Sequence, residues 1–120
     1  MTALVQRDVR TFPNNSAIAP YLRVKLTGGF LAVAAGADNE LGILEERTLA
    51  TDTVGAVRLP SISNTVRVTA AGAIAANATI YRANGGKVST TVVGTAWGIA
   101  LEAGSGDGSV IEAIRTINAA

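Results

Sequence analysis

The 120-residue chain has room for one domain with a single modest core and not for two. It is 48% apolar yet only 4% aromatic, with 22 Ala and 13 Gly against one Trp and two Phe, so the core has to be assembled from small aliphatic side chains. No His, no Cys, a formal charge of +1 and only 16% charged residues exclude His-based catalysis, thiolate metal sites and disulfide frameworks, and supply no Lys/Arg excess of the kind that tracks nucleic acid.

Full burial of a Val, Leu or Ile contributes about 1.5 to 3 kcal/mol, whereas each ordered residue costs about 1 to 2 kcal/mol of backbone entropy. An Ala/Gly-rich monomer is therefore expected to be marginal and to gain from burial against neighbouring subunits. Low charge density suits such contact, because interface cores are depleted in charged groups. What positive charge there is sits early: residues 1–25 carry +3 (Arg7, Arg10, Arg23 and Lys25 against Asp8) and the remainder −2. The first twenty residues lack the basic-then-apolar order of a signal peptide, and no apolar run approaches the roughly 20 residues that span a bilayer. A soluble product of the cytoplasm is expected, with Asn14-Asn15-Ser16 and Asn77-Ala78-Thr79 as chance sequons.

In chain order, residues 1–20 hold Asn14-Asn15-Ser16 between Pro13 and Pro20 without a sustained period, which predicts an extended arm or a strand that pairs away from its own domain. From Tyr21, Leu22, Val24 and Leu26 alternate with Arg23 and Lys25, Gly28-Gly29 turns the chain, and Leu31, Val33 and Ala35 continue: a β-hairpin. Gly36 to Glu40 reads as a polar loop, Leu41 to Leu44 is ambiguous, and Val54 to Leu59 and Val66 to Val68 read as strands. Glu45 to Ala50 and the Ala-rich Ala73 to Ala78 are the two places for a short helical turn, each too short to be stable alone. Ile80-Tyr81 and Val88 flank a second hairpin at Gly85-Gly86; Gly98 to Ala103 and Val110 to Ile114 flank a turn containing Gly106-Asp107-Gly108, whose glycines are expected to supply positive backbone angles.

The sequence also echoes itself. Lys25-Leu26-Thr27-Gly28-Gly29-Phe30-Leu31 matches Arg82-Ala83-Asn84-Gly85-Gly86-Lys87-Val88 at an offset of 57, Leu41-Gly42-Ile43 matches Trp97-Gly98-Ile99 at 56, and Val57-Arg58 matches Ile114-Arg115 at 57. Either this is chance in a Gly/Val-rich chain, or two similar hairpin-plus-strand units pack into one barrel or sandwich. The expected fold is all-β: a small single-domain β-barrel or sandwich of short antiparallel strands over residues 21–120, with one or two short helical turns and an extended N-terminal arm, residues 1–20.

Catalytic constellations are hard to assemble from these residues. Lys25 or Lys87 with Ser61, Ser63 or Ser89 lacks the spacing of any Ser-Lys motif. Glu46 and Glu102 occupy corresponding points of the echo, yet nothing in the sequence sets them across a cleft, and neighbouring Glu45 would point the other way on a strand. Asp38-Asn39-Glu40 lacks calcium-loop spacing, and Gly104 to Gly108 lacks the Gly-Lys-Ser/Thr ending and following helix of a phosphate loop. Trp97, beside Gly98, reads as a core space-filler. On these grounds neither a reaction nor a cofactor or metal is expected.

The strand order and wording from Tyr21 to Arg115 resemble the tailed-bacteriophage capsid cement (head decoration) proteins. The resemblance rests on the Gly28-Gly29 hairpin, Leu41-Gly42-Ile43-Leu44, Val54 to Leu59, Ala71 to Ala76, Ile80-Tyr81, Gly85-Gly86-Lys87-Val88 and, most distinctively, Gly98-Ile99-Ala100-Leu101-Glu102-Ala103 with the Gly106-Asp107 turn. It implies a homotrimer that sits on the outer surface of the mature head near threefold positions and binds the major capsid protein, made in the host bacterial cytoplasm, with no nucleic-acid or membrane partner. Such proteins often add an N-terminal arm to capsid strands, which makes Arg7, Arg10, Phe12 and Pro13 the candidate capsid contacts, with Gly28, Gly29, Gly85, Gly86, Gly106 and Gly108 as turn glycines. The arm itself departs from the resemblance in having no family motif. A phage fibre or tail-associated β-domain that binds host carbohydrate or another virion protein is the alternative, although this chain offers few aromatics for a sugar site; a small enzyme is the third class.

Overall fold

A computed structural model describes residues 9–36, 38–59 and 65–116. Among the described residues ten short strands form two five-stranded antiparallel sheets, and nearly everything else is turn. The first sheet contains β1 (Val9–Pro13), β2 (Arg23–Thr27), β3 (Phe30–Val33), β4 (Gly42–Leu44) and β5 (Val54–Arg58), in the order β1-β5-β4-β2-β3. The second contains β6 (Thr65–Thr69), β7 (Thr79–Arg82), β8 (Val88–Ser89), β9 (Gly98–Ala100) and β10 (Val110–Arg115), in the order β6-β10-β9-β7-β8. The all-β expectation therefore holds.

The two orders are one topology written twice. Adding 56 to each number turns the β1–β5 ladder, Val9↔Arg58 to Pro13↔Val54, into the β6–β10 ladder, Thr65↔Ile114 to Thr69↔Val110. The same shift carries Ile43↔Arg58 onto Ile99↔Ile114, and Val24↔Gly42 onto Ile80↔Gly98. The echo in the sequence is thus a structural repeat, with a register of 56 at these ladders, including Val57 and Arg58, which correspond to Ala113 and Ile114. Its offset of 57 at the hairpin has a cause. Leu26 pairs with Leu31 in the first repeat and Arg82 with Val88 in the second, so the second hairpin holds one more residue, which the connection to β9 gives back. Irregular features repeat too: the left-handed, non-glycine Tyr21 (φ 63°) and Asn77 (φ 68°) each donate their N–H to a strand carbonyl, Leu44 O and Ala100 O, both at 2.7 Å.

Small residues are needed where strands crowd. A Cβ on Gly42 would overlap the carbonyl oxygen of Arg58, and one on Gly98 would overlap that of Ile114, the equivalent contact in the other repeat. This accounts for the shared Gly in Leu41-Gly42-Ile43 and Trp97-Gly98-Ile99. Each sheet has its own core on one face, and β2 and β4 are buried on both faces. The first encloses Ile18, Val24, Leu31, Leu44 and Val57, and the second encloses Val66, Val68, Ile74, Ile80, Val88, Trp97 and Ile111 with several Ala. Ile43, on β4, packs into the second core and so belongs to both units. In the second sheet, Ala70 after β6 meets Val88 of β8 in a parallel bridge, so its two outer strands come together.

Two expectations land differently. The helical turn falls at Asn84–Gly86, a 3-10 turn in the second hairpin. Ala73 to Ala78 stays non-helical because Ile74 exchanges backbone hydrogen bonds with Gly104 and Asn77 is left-handed, and Thr48 likewise pairs with Ile18. Of the arm, residues 9–20 are integrated into this chain: β1 pairs along its whole length with β5, and Ile18 is 5% exposed in the first core. The repeat explains this, since β1 stands where β6 stands in the second unit.

Replacing Gly42 or Gly98 with Ala should each cost more than about 2 kcal/mol in urea unfolding. Gly72, whose Cβ would meet nothing, should tolerate Ala with little change. Equal effects at all three sites would contradict the close-approach account.

Candidate functional site

The strongest concentration of charge lies between the two repeats. Glu40, in the loop leading to β4, has a side chain only 2% exposed and accepts from three arginines. Arg23 Nη1 reaches its Oε1 at 3.1 Å. Arg82 forks onto it, Nε to Oε1 at 2.8 Å and Nη2 to Oε2 at 3.2 Å, and Arg115 Nη1 reaches Oε2 at 3.0 Å. Arg23 and Glu40 come from the first repeat, Arg82 and Arg115 from the second.

The three guanidiniums are satisfied to different degrees. Arg23, fully buried on β2, also donates through Nε to Lys87 O at 3.0 Å and through Nη2 to Ala35 O and Ala83 O, so backbone carbonyls complete its cage. Arg115 lies 4.9 Å from the centroid of the buried Trp97 ring, a cation–π contact, and its Nε finds no acceptor; neither does Trp97 Nε1. Arg82 has no partner for Nη1 among the described residues. Burial by itself raises the Glu40 pKa, but the Arg82 hydrogen bonds and the charges of Arg115 and Arg82 outweigh it and hold the carboxyl below its ordinary value. Burial draws the Arg23 and Arg115 pKa values down against the pull of Glu40. Nearby, Lys25 pairs with Asp38 at 2.6 Å, and that hydrogen bond lowers the Asp38 pKa.

None of these four residues stood out in the sequence. Arg23 reads as the solvent-facing member of an alternating strand, and Glu40 as a loop residue. The echo gave no signal for them: read from the sequence it sets Arg82 opposite Lys25 and Arg115 opposite Arg58, and only the ladder register of 56 places Arg23, Glu40, Arg82 and Arg115 opposite Thr79, Ala96, Leu26 and Leu59. Charges that have no counterpart in the other repeat are what join the repeats.

The residues expected to touch a partner are placed elsewhere. Arg10 is exposed on β1 with its guanidinium 5.3 Å from the Phe12 ring, Phe12 packs partly against the first core, and Pro13 ends the strand exposed. Arg7 lies outside the described residues. Gly28 and Gly29 form the first hairpin turn and Gly85 and Gly86 the second, all at positive φ. In the third turn only Gly108 has positive φ, and Gly106 does not need it, because Ser109 Oγ receives its N–H at 3.2 Å and closes the turn. Glu46 and Glu102 occupy equivalent repeat positions, but Glu102 serves the backbone, accepting from Glu112 N at 3.1 Å. Among the described residues no three His, Cys, Asp or Glu side chains gather as a metal centre.

Removing one member of a buried ionic cluster leaves the others uncompensated and costs about 3 to 5 kcal/mol. Glu40→Gln should destabilise the fold by that order. Because the folded pKa of Glu40 is depressed, its contribution is complete above the unfolded carboxyl pKa and is lost as pH falls through the lower folded value. The melting temperature should therefore be level down to about pH 4.5 and decline below it, and the decline should be shallower in Glu40→Gln. An identical acid profile for the two proteins would contradict the assignment.

No protein-family model matches the sequence, and no curated protein matches it. Among solved structures the fold is similar to that of the head fiber gp8.5 N base of bacteriophage phi29, with a TM-score of 0.73 at 16% identity, over 90% of this chain and 92% of that one. At that identity the likeness is one of fold, and it spans both repeats.

Proposed function

We propose that this chain is a structural protein of a phage virion that attaches to the outer surface of the head and stabilises the capsomer lattice as a decoration protein, acting as a homotrimer on the major capsid protein. The observation that carries the reading is the likeness, along nearly the whole of both chains, to a head fiber base. The resemblance of Tyr21 to Arg115 to cement proteins agrees with it, as does a low-charge, small-residue composition that gains from subunit contact. The mechanism is additive binding: threefold symmetry multiplies modest contacts through effective concentration, and preference for the expanded lattice stabilises that lattice by mass action. No reaction or cofactor is assigned. A second reading, favoured by the fiber base itself, is that the module anchors a projecting fibre without reinforcing the shell.

On this proposal β1 is the attachment edge. It is the last hydrogen-bonded strand of its sheet, approached in part by β3, and an added strand would extend the ladder beyond Arg10, Phe12 and Pro13 where β3 leaves the edge open, with Arg7 just before them in sequence. Deletion of residues 1–18 would remove β1 and the core residue Ile18, so it tests stability more than binding. Deletion of residues 1–8 leaves every ladder pair among the described residues in place.

Co-sedimentation with expanded, undecorated heads tests the function. Wild type should bind saturably and raise the temperature at which heads rupture, with a solution mass three times the 12.2 kDa chain. Binding without a rise in rupture temperature would favour the fibre-anchor reading. No binding at micromolar protein would sink both. The variant lacking residues 1–8, combined with Arg10→Ala, should bind at least about tenfold more weakly; unchanged affinity would remove the edge from the account.

A further inference from the structure

Beside the buried cluster, Arg82 opens into a hollow lined by Gly36, Ala83, Asn84, Ser89, Thr91 and Val93. Its polar groups are unusual in that several acceptors are already used. Asn84 Oδ1 accepts from Gly36 N at 2.9 Å, which fixes the amide and leaves Nδ2 to donate. Ser89 Oγ accepts from Thr91 N at 3.2 Å, leaving its O–H to donate. Ala83 is spent on both sides: its O receives Arg23, and its N–H bonds Lys87 O at 2.9 Å.

What remains among the described residues lining the hollow is a set of donors, Arg82 Nη1, Asn84 Nδ2 and the hydroxyls of Ser89 and Thr91, with Val93 as an apolar neighbour. The charge is unbalanced in the same sense, since Arg82 shares one carboxylate with two further arginines. A low-dielectric cluster with surplus positive charge and open donors favours an anion, and a guanidinium edge matches a carboxylate. We propose that this hollow is a carboxylate-binding site, with Arg82, Asn84, Ser89 and Thr91 as its donors. The inference does not depend on attachment to a phage head. The carboxylate can come from a small free acid or from an Asp or Glu side chain of a protein bound there.

The test is a titration followed by backbone amide NMR, with sodium acetate, with a blocked tripeptide containing one Glu, with sodium phosphate, and with sodium chloride at equal ionic strength. Saturable shifts at Asn84, Ser89 and Thr91 with either carboxylate, and not with chloride, are expected. Saturation by acetate alone assigns free acids; saturation by the peptide as well assigns a side chain. The double variant Ser89→Ala, Thr91→Val leaves the Arg82–Glu40 fork intact, so it should fold normally and bind about tenfold more weakly. Arg82→Lys, which keeps the charge and loses the fork, should weaken binding at least as much. The proposal is overturned if neither carboxylate gives saturable shifts, if the double variant binds like wild type, or if inorganic phosphate binds more tightly than both.

Discussion

One carboxylate holds the two halves of this protein in register. Glu40 is almost completely buried, and the arginines that surround it come from both repeats. Burying such charges is costly unless each is paired and the remaining donors are satisfied. The chain meets that condition unevenly. Arg23 is completed by three backbone carbonyls, and two of these, Ala83 O and Lys87 O, belong to the second hairpin. The hairpin turn is therefore fixed by the same guanidinium that fixes Glu40, and the ion cluster and the backbone packing form one network.

In that network the second hairpin, one residue longer than the first, is the one that docks. Its turn docks on the first repeat, with Gly86 N donating to Ala34 O at 2.8 Å and Asn84 Oδ1 receiving Gly36 N. The Gly28-Gly29 tip of the first hairpin meets nothing comparable, and a Cβ at either glycine would point into open space. Two units built on one pattern thus become unlike at their shared boundary: one supplies the docking turn, the other the receiving strand ends. Tyr21 O, which accepts from both the N–H and the hydroxyl of Thr69, adds a second tie between them.

The strands were legible where physics is local. Alternation at Leu22 to Leu26 and the Gly-Gly turns each report a constraint set by neighbouring residues, and the echo, with its shared Leu-Gly-Ile and Trp-Gly-Ile segments, pointed to the duplication. The fate of β1 was not legible. Val-Arg-Thr-Phe-Pro has a weak period of its own and becomes a strand only through β5, some 40 residues later. Nor was the cluster, because a buried Arg and a solvated one look alike in sequence, and Glu40 finds its partners at separations of 17, 42 and 75 residues. The consequence is a two-sheet body with β1 at the outer end of one repeat and Arg82 at the boundary between the two.

With Glu40 joining them, the repeats are expected to unfold as one cooperative unit and not as two domains in tandem. Differential scanning calorimetry of the intact chain tests it most directly. A single transition whose calorimetric and van't Hoff enthalpies agree is the predicted result. Two resolved transitions, each carrying about half of the total enthalpy, would contradict it.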